Sequence, residues 1–237
     1  MIVLSIDSSS KVATVALLKD DILMAEYVLN DKREHSVLLM PMIENILKES
    51  NLTIDDIDAY VVSKGPGSFT GLRIGMATIK GMSFGSNKPY ISLSSLDALA
   101  YSVSSFNGII CPIMDALRTN VYTGLYKNEN GSLETIMDPT PMELEDLISL
   151  LKEKNEPVIF TGDGLTKHKE FINENFPNAN FAPNHLSIVR ASSLGELGMQ
   201  KLKSGICDDS NSSPVYLKKP QAERELERRM KMNELNS

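Results

Sequence analysis

The 237-residue chain is 42% hydrophobic and 23% charged, with a formal net charge of −7. This is the make-up of an ordinary globular protein, with material for one large domain or two small ones. The charge argues against a protein that grips nucleic acid alone by long-range attraction, though a subunit adding one local contact to a complex stays open.

The N-terminus, Met1 to Asp7, has no basic segment or cleavage site and reads as a first strand, Ile2 to Asp7. No apolar run approaches the ~20 residues needed to span a bilayer, and Cys111 and Cys207 lack metal or redox spacing, so a cytoplasmic protein is expected. A polar turn, Ser8 to Lys11, leads to strands at Val12 to Leu18 and Ile22 to Leu29. Helical periodicity then runs from about Glu34 to Ser50, with Val37, Leu38, Met42, Ile43, Ile46 and Leu47 on an apolar face and Pro41 inside it.

Next comes a strand, Ala59 to Ser63, and the most distinctive stretch of the chain, Gly65-Pro66-Gly67-Ser68-Phe69-Thr70-Gly71-Leu72-Arg73-Ile74-Gly75. Strand, glycine turn, helix is a layout in which free N–H groups at a helix start can meet an anion. It is equally the layout of a tight turn that uses glycine for geometry alone. Neither the Walker A pattern nor GxGxxG fits. The following helix carries two glycine pairs, Gly71/Gly75 and Gly81/Gly85. Each internal glycine costs about 1 kcal/mol relative to alanine, so close approach of another element, internal or from a partner, is implied.

After a polar connection near residues 100–108, the series starts again. Ile109 to Asp115 reads as a strand closed by an aspartate, like Ile2 to Asp7. Ala116 to Asn120 is a turn, Val121 to Lys127 a strand, and Pro141 to Lys154 a helix. Val158 to Thr161 then runs into Gly162-Asp163-Gly164 and another helix. The recurrence predicts two α/β halves, 1–105 and 106–237, facing each other across a cleft. Asp7, Gly65, Gly67 and Gly162 are candidates to line that cleft as nucleotide-binding residues, although Asp7 and Asp115 read equally well as strand-end residues satisfied by backbone N–H groups.

This architecture resembles the actin/sugar kinase/Hsp70-type ATPase (ribonuclease H-like) fold. More narrowly, Ile6-Asp7-Ser8-Ser9, Arg33-Glu34-His35-Ser36, the Gly65–Gly75 segment, Asp115-Ala116-Leu117-Arg118 and Pro214-Val215-Tyr216-Leu217 resemble the TsaB (YeaZ) family through nearly the whole chain. The resemblance implies a non-catalytic subunit needed for N6-threonylcarbamoyladenosine formation at position 37 of ANN-decoding tRNAs. It would work with the catalytic paralogue TsaD and the ATPase TsaE, contact tRNA indirectly and stay off membranes. Pairing with TsaD would use the first two helices, with Leu38, Met42, Ile46, Gly71, Gly75 and Ile79 at the interface, and the same surface would make a homodimer in isolation. On this reading Gly75→Leu blocks pairing and leaves the fold intact. No cofactor is required by this subunit alone, with ATP and Mg possible in the complex.

The catalytic relative would hold a metal through His-x-x-x-His, but Ser95 and Leu99 stand at the corresponding places. His35, His168 and His185 share no ligand spacing, so neither a catalytic nor a metal residue is assigned. No Ser/His/Asp set can be assembled, which leaves a peptidase unsupported. From the enzyme class, a self-sufficient ATP-binding phosphotransferase or ATPase of the same fold is the alternative. The Glu223–Arg229 tail, with alternating charges, reads as a solvated helical end.

Overall fold

The structure is a computed structural model that describes residues 1–31, 34–116 and 119–218. Arg33, Leu117, Arg118, Lys219 and the Glu223–Arg229 tail lie outside the described residues.

The first half runs β1 (Ile2–Asp7), β2 (Val12–Lys19), β3 (Ile22–Asn30), α1 (His35–Glu49), β4 (Ala59–Gly65), α2 (Phe69–Ser86), β5 (Tyr90–Ser94) and α3 (Ser95–Tyr101). The second runs β6 (Ile109–Asp115), β7 (Asn120–Glu129), β8 (Ser132–Glu143), α4 (Leu144–Lys154), β9 (Val158–Thr161), α5 (Leu165–Asn175), β10 (Asn180–Phe181) and α6 (Ala191–Lys203). Each half forms a five-stranded sheet, ordered β3-β2-β1-β4-β5 and β10-β9-β6-β7-β8. In both, an antiparallel meander of three strands is followed by two strands parallel to the first. The repeat expected from the hairpin, helix and glycine-turn order is therefore a repeat of topology.

Two differences from the sequence expectation have plain causes. Pro141 does not start a helix; it pairs with Tyr122 within β8, and α4 begins at Leu144. Because β8 is a sheet edge, Pro139 and Pro141 need not donate to a neighbouring ladder, which is where strands tolerate proline. The short strand β5 and helix α3 are too brief for periodicity to show in the sequence.

Outer helices cover one face of each sheet. Leu38, Leu39, Met42, Ile43 and Ile46 of α1 and Met76 and Ile79 of α2 pack with Leu4, Ile6, Val15 and Leu17. On the second sheet, Leu144, Leu147, Ile148 and Leu151 of α4 and Ile172 of α5 pack with Cys111, Ile113 and Phe160. The inner faces share one core, built from Val3, Leu18 and Val61 on one side and Ile110, Met114 and Tyr126 on the other, with α3 and α6 between. Here the helices cross over. α3, from the first half, meets β6, β7 and β8, while α6, from the second, lies chiefly on β1, β2 and β4. A division near residue 105 thus separates the sheets in sequence but not the packing.

The approach of α6 is close enough to require glycine. A Cβ on Gly195 would overlap Leu18, and one on Gly198 would overlap Val61. Glu26, 5% exposed at its side chain, locks the helix start: it pairs with Arg190 and accepts from Ser192 N at 3.1 Å and Ser192 Oγ at 3.0 Å. Among the described residues, no helix is long and apolar enough to cross a membrane.

Candidate functional site

All four central strands, β1, β4, β6 and β9, run parallel within their sheets, so Asp7, Gly65, Asp115 and Thr161 end them at the edges where α/β crevices bind ligands.

At the first sheet, Asp7 is wholly buried. Its Oδ1 accepts from the Ser63 hydroxyl and from Ser9 N at 3.2 Å, while Oδ2 has no partner. Burial pushes its carboxyl up to about 6, against the opposing pull of the Ser63 and Ser9 hydrogen bonds and of nearby His35. The strand-end reading of Asp7 is therefore met by one of its two oxygens. His35 Nε2 lies 2.7 Å from the Ser10 carbonyl, to which it donates, and Nδ1 has no hydrogen-bond partner among the described residues.

The Gly65–Ser68 loop lies directly on the β1–β2 turn. Gly65 takes φ +108°, and a Cβ on Gly67 would overlap the Ser9 carbonyl. Ser68 N donates to Ser9 O at 2.7 Å, and Ser68 Oγ caps the helix by accepting from Gly71 N at 3.3 Å. The contact continues along α2. Ser8 Oγ donates to Gly71 O at 2.8 Å, a Cβ on Gly71 would overlap Ser8 O, and one on Gly75 would sit 2.5 Å from Ser8 Oγ. The first glycine pair is thus explained by the chain's own turn.

The second pair has no such explanation. A Cβ on Gly81 or Gly85 would meet nothing within 4 Å. Between them, Phe84 is 90% exposed, and Val37 and Met40 on the adjacent α1 are 58% and 44% exposed. The residues expected at a partner interface sit differently. Leu38, Met42, Ile46 and Ile79 are buried in the first sheet's outer core, and Gly71 and Gly75 face Ser8. The outward positions of these two helices are instead Val37, Met40, Ala77, Gly81, Phe84 and Gly85. Gly75→Leu cannot spare the fold, because the space is filled.

At the second sheet, Gly162 has φ +105°, and a Cβ there would overlap Ile113 O. Asp163 is largely buried with Oδ1 unpartnered; burial raises its carboxyl, and the Asp115 charge adds to the rise. Asp115 Oδ1 lies 3.2 Å from Lys167 Nζ and 3.9 Å from His168 Nε2. Burial lowers the His168 imidazole, helped by Lys167 and opposed by Asp115. The structure brings Asp7, Gly65 and Gly67 together around one turn; Gly162 serves the matching turn of the other sheet. Among the described residues, no three His, Cys, Asp or Glu side chains gather as metal ligands. Ser95 and Leu99 on α3 are both buried, Leu99 within the shared core.

Sequence reasoning assigned no role to the segment after α6. Val215 N donates to Lys64 O at 2.7 Å, Tyr216 stacks on Phe69 with ring centroids 4.2 Å apart, and Arg73 Nε donates to Tyr216 Oη at 2.8 Å. Its one sequence signal was the Pro214–Leu217 match.

Comparison with known proteins gives three findings. Residues 23–226 match the family model described as TsaD, tRNA N6-adenosine threonylcarbamoyltransferase. The Bacillus subtilis (strain 168) protein named tRNA threonylcarbamoyladenosine biosynthesis protein TsaB is 38% identical over 226 residues, covering 94% of this chain and 96% of that one. Among solved structures, a Pseudomonas aeruginosa protein described as similar to peptidase YeaZ superposes with a TM-score of 0.78 at 23% identity, over 92% of this chain and 99% of that one. The ROK hexokinase of Thermus thermophilus gives 0.51 at 11% identity, over 86% and 100%. These last two show the fold, that of the actin/sugar kinase/Hsp70-type ATPases.

Proposed function

The chain belongs to the TsaB family of tRNA threonylcarbamoyladenosine biosynthesis proteins, and from that premise we propose that it is the non-catalytic member of the modifying assembly, docking a TsaD-type catalytic subunit through the outer face of α1 and α2. The observation that carries this reading is the exposure of Phe84, Gly81 and Gly85 on α2 and of Val37 and Met40 on the neighbouring α1. Large apolar side chains left exposed on two neighbouring helices mark an interaction surface. Two glycines with nothing beside them give a partner helix a close seat, at a cost of about 1 kcal/mol each that the isolated chain does not recover.

The lack of a catalytic role is supported by Ser95 and Leu99. Both are buried, and neither supplies the imidazole pair that a metal centre at that place would need. Nucleotide and Mg belong, on this reading, to the assembly, and TsaE and tRNA meet this subunit through it, in the cytoplasm. Without its partner the same two helices pair two copies of the chain.

The test is co-elution of the purified chain with a TsaD-type subunit, using Phe84→Asp and Gly81→Arg. Both positions are solvent-facing, so neither variant is expected to melt below the wild type, and both are expected to lose the complex and tRNA modification together. Two folded variants that still form the complex would refute the placement.

A further inference from the structure

The two sheets have four edge strands, β3 and β5 in the first and β10 and β8 in the second. Three of them are guarded. β5 is covered by the segment after α6, where Asp208 N donates to Tyr90 O at 2.9 Å and Asp208 Oδ2 accepts from Ser92 N at 3.0 Å. β8 carries Pro139 and Pro141, which cannot donate to a neighbour, and β10 is two residues long. Short edges, prolines and covering loops are the devices that keep a sheet from pairing further.

β3 has none of them. Its nine residues, Ile22 to Asn30, contain no proline, and its ladder to β2 runs unbroken from Ala25 to Asn30. Among the described residues it pairs with no other strand. Its one charge, Glu26, is turned inward to Arg190 and Ser192, while Ile22, Leu23, Met24 and Val28 are exposed. Tyr27 Oη donates to Glu49 of α1 at 2.7 Å, so the strand is held from both faces and stands ready as a template.

A cavity of about 230 Å³ beside Ile22 points to the occupant. It is lined by apolar Leu18 and Met199 and by three carboxylates, Asp20, Asp21 and Glu196, against one lysine, Lys203. Met1 N bonds Asp20 Oδ1 at 2.7 Å, Tyr101 Oη bonds Glu196 Oε2 at 2.8 Å, and Lys203 Nζ lies 3.9 Å from Asp21 Oδ1. Each contact uses one oxygen of its carboxylate. Such a lining suits a long basic side chain, with its methylene stem on the apolar wall and its head among the acids. A second copy of β3 contains no lysine or arginine and cannot supply one from within the strand.

We propose that the open edge of β3 captures an extended segment of a partner protein, which adds as a further strand and places an arginine or lysine in the cavity beside Ile22. Main-chain hydrogen bonds supply the hold, and apolar side chains beside Met24 and Val28 together with the basic residue supply the choice of segment. The added strand runs antiparallel, continuing the meander with the stronger ladder, so its basic residue stands at its C-terminal end. This inference rests on β3 and is independent of the docking face of α1 and α2.

The test uses the full chain carrying Phe84→Asp, which removes pairing through the helices. The probe is the labelled peptide Thr-Val-Thr-Val-Thr-Val-Arg, followed by fluorescence anisotropy. Saturable binding is expected, with slower amide exchange at residues 22–30. Replacing the peptide's arginine by glutamate should weaken it at least tenfold at low salt, and Asp21→Lys in the chain should erase that difference. A proline at the peptide's centre, or Met24→Lys/Val28→Lys in the chain, should abolish binding, with circular dichroism melts establishing that each variant is folded. No saturation at about millimolar peptide, equal binding of the proline peptide, or unchanged binding by the folded double variant would overturn the proposal. So would sedimentation showing that the Phe84→Asp chain dimerises and that Met24→Lys/Val28→Lys dissolves the dimer, since the edge would then belong to a second copy. No TsaD-type subunit is present, so failure here leaves the docking reading untouched, and co-elution by Phe84→Asp leaves this one untouched.

Discussion

Two glycine-to-alanine changes in one helix, six residues apart, are expected to move stability in opposite directions. At Gly75 the new methyl would lie 2.5 Å from Ser8 Oγ and 3.5 Å from Val62 Cγ2. Ser8 is fully buried, and its hydroxyl donates to Gly71 O. Displacing it overpacks the site at about 1–3 kcal/mol and weakens a buried hydrogen bond worth about 1 kcal/mol. Alanine's helix preference returns about 1 kcal/mol. The balance is a loss of about 2 kcal/mol, or a Tm lower by roughly 4–8 °C for a chain of this size. At Gly81 the methyl meets nothing, so only the propensity gain of about 1 kcal/mol remains, raising Tm by roughly 2–4 °C. Thermal melts of the two variants, with urea unfolding as a second measure, decide the matter. If Gly75→Ala were as stable as Gly81→Ala, the packing of α2 on the β1–β2 turn would be wrong.

Asp7 makes stability depend on pH in a defined window. Its carboxyl, raised from 3.8 to about 6 in the folded chain, binds a proton more tightly than in the unfolded chain, so its contribution is fully present below pH 3.8 and is lost as pH rises through 6. The difference amounts to about 3 kcal/mol. Comparing urea midpoints of wild type and Asp7→Asn across pH 3.5–7 should show the wild type losing ground over that interval and no further; parallel curves would contradict the burial. Glu26→Ala leaves Arg190 without its carboxylate and Ser192 without its acceptor. Breaking a largely buried pair costs about 3–5 kcal/mol, and the 26% exposure of Arg190 puts the expectation at about 2–4 kcal/mol. An unchanged melting temperature would show that α6 is not held there.

Much of the candidate site was legible locally. Asp7 at a strand end, the glycine turn after β4 and its counterpart at Gly162 could be placed because strand-to-helix turns write themselves in adjacent residues. The outward face of α1 and α2 was not legible to the residue. On α1, Val37, Leu38, Leu39, Met40, Met42, Ile43 and Ile46 leave few polar gaps, and a helix apolar on most sides gives no periodicity from which to choose the inward face. The position of the first sheet makes that choice, turning Leu38, Met42 and Ile46 in and Val37 and Met40 out. Likewise, the glycine pairs of α2 look alike in sequence; one lies on Ser8 and the other on nothing.

By itself, the order of strands, helices and turns determined a duplicated α/β architecture, its turn residues and the family to which the chain belongs, because all of these rest on short-range patterns. Tertiary structure alone decided that α3 and α6 trade places between the sheets, that Asp7 keeps one bare oxygen, and that the chain's last described residues return over the glycine loop. Those features join residues far apart in sequence, 143 positions in the case of Arg73 and Tyr216. No local propensity encodes such pairs; they form only once the whole chain has packed.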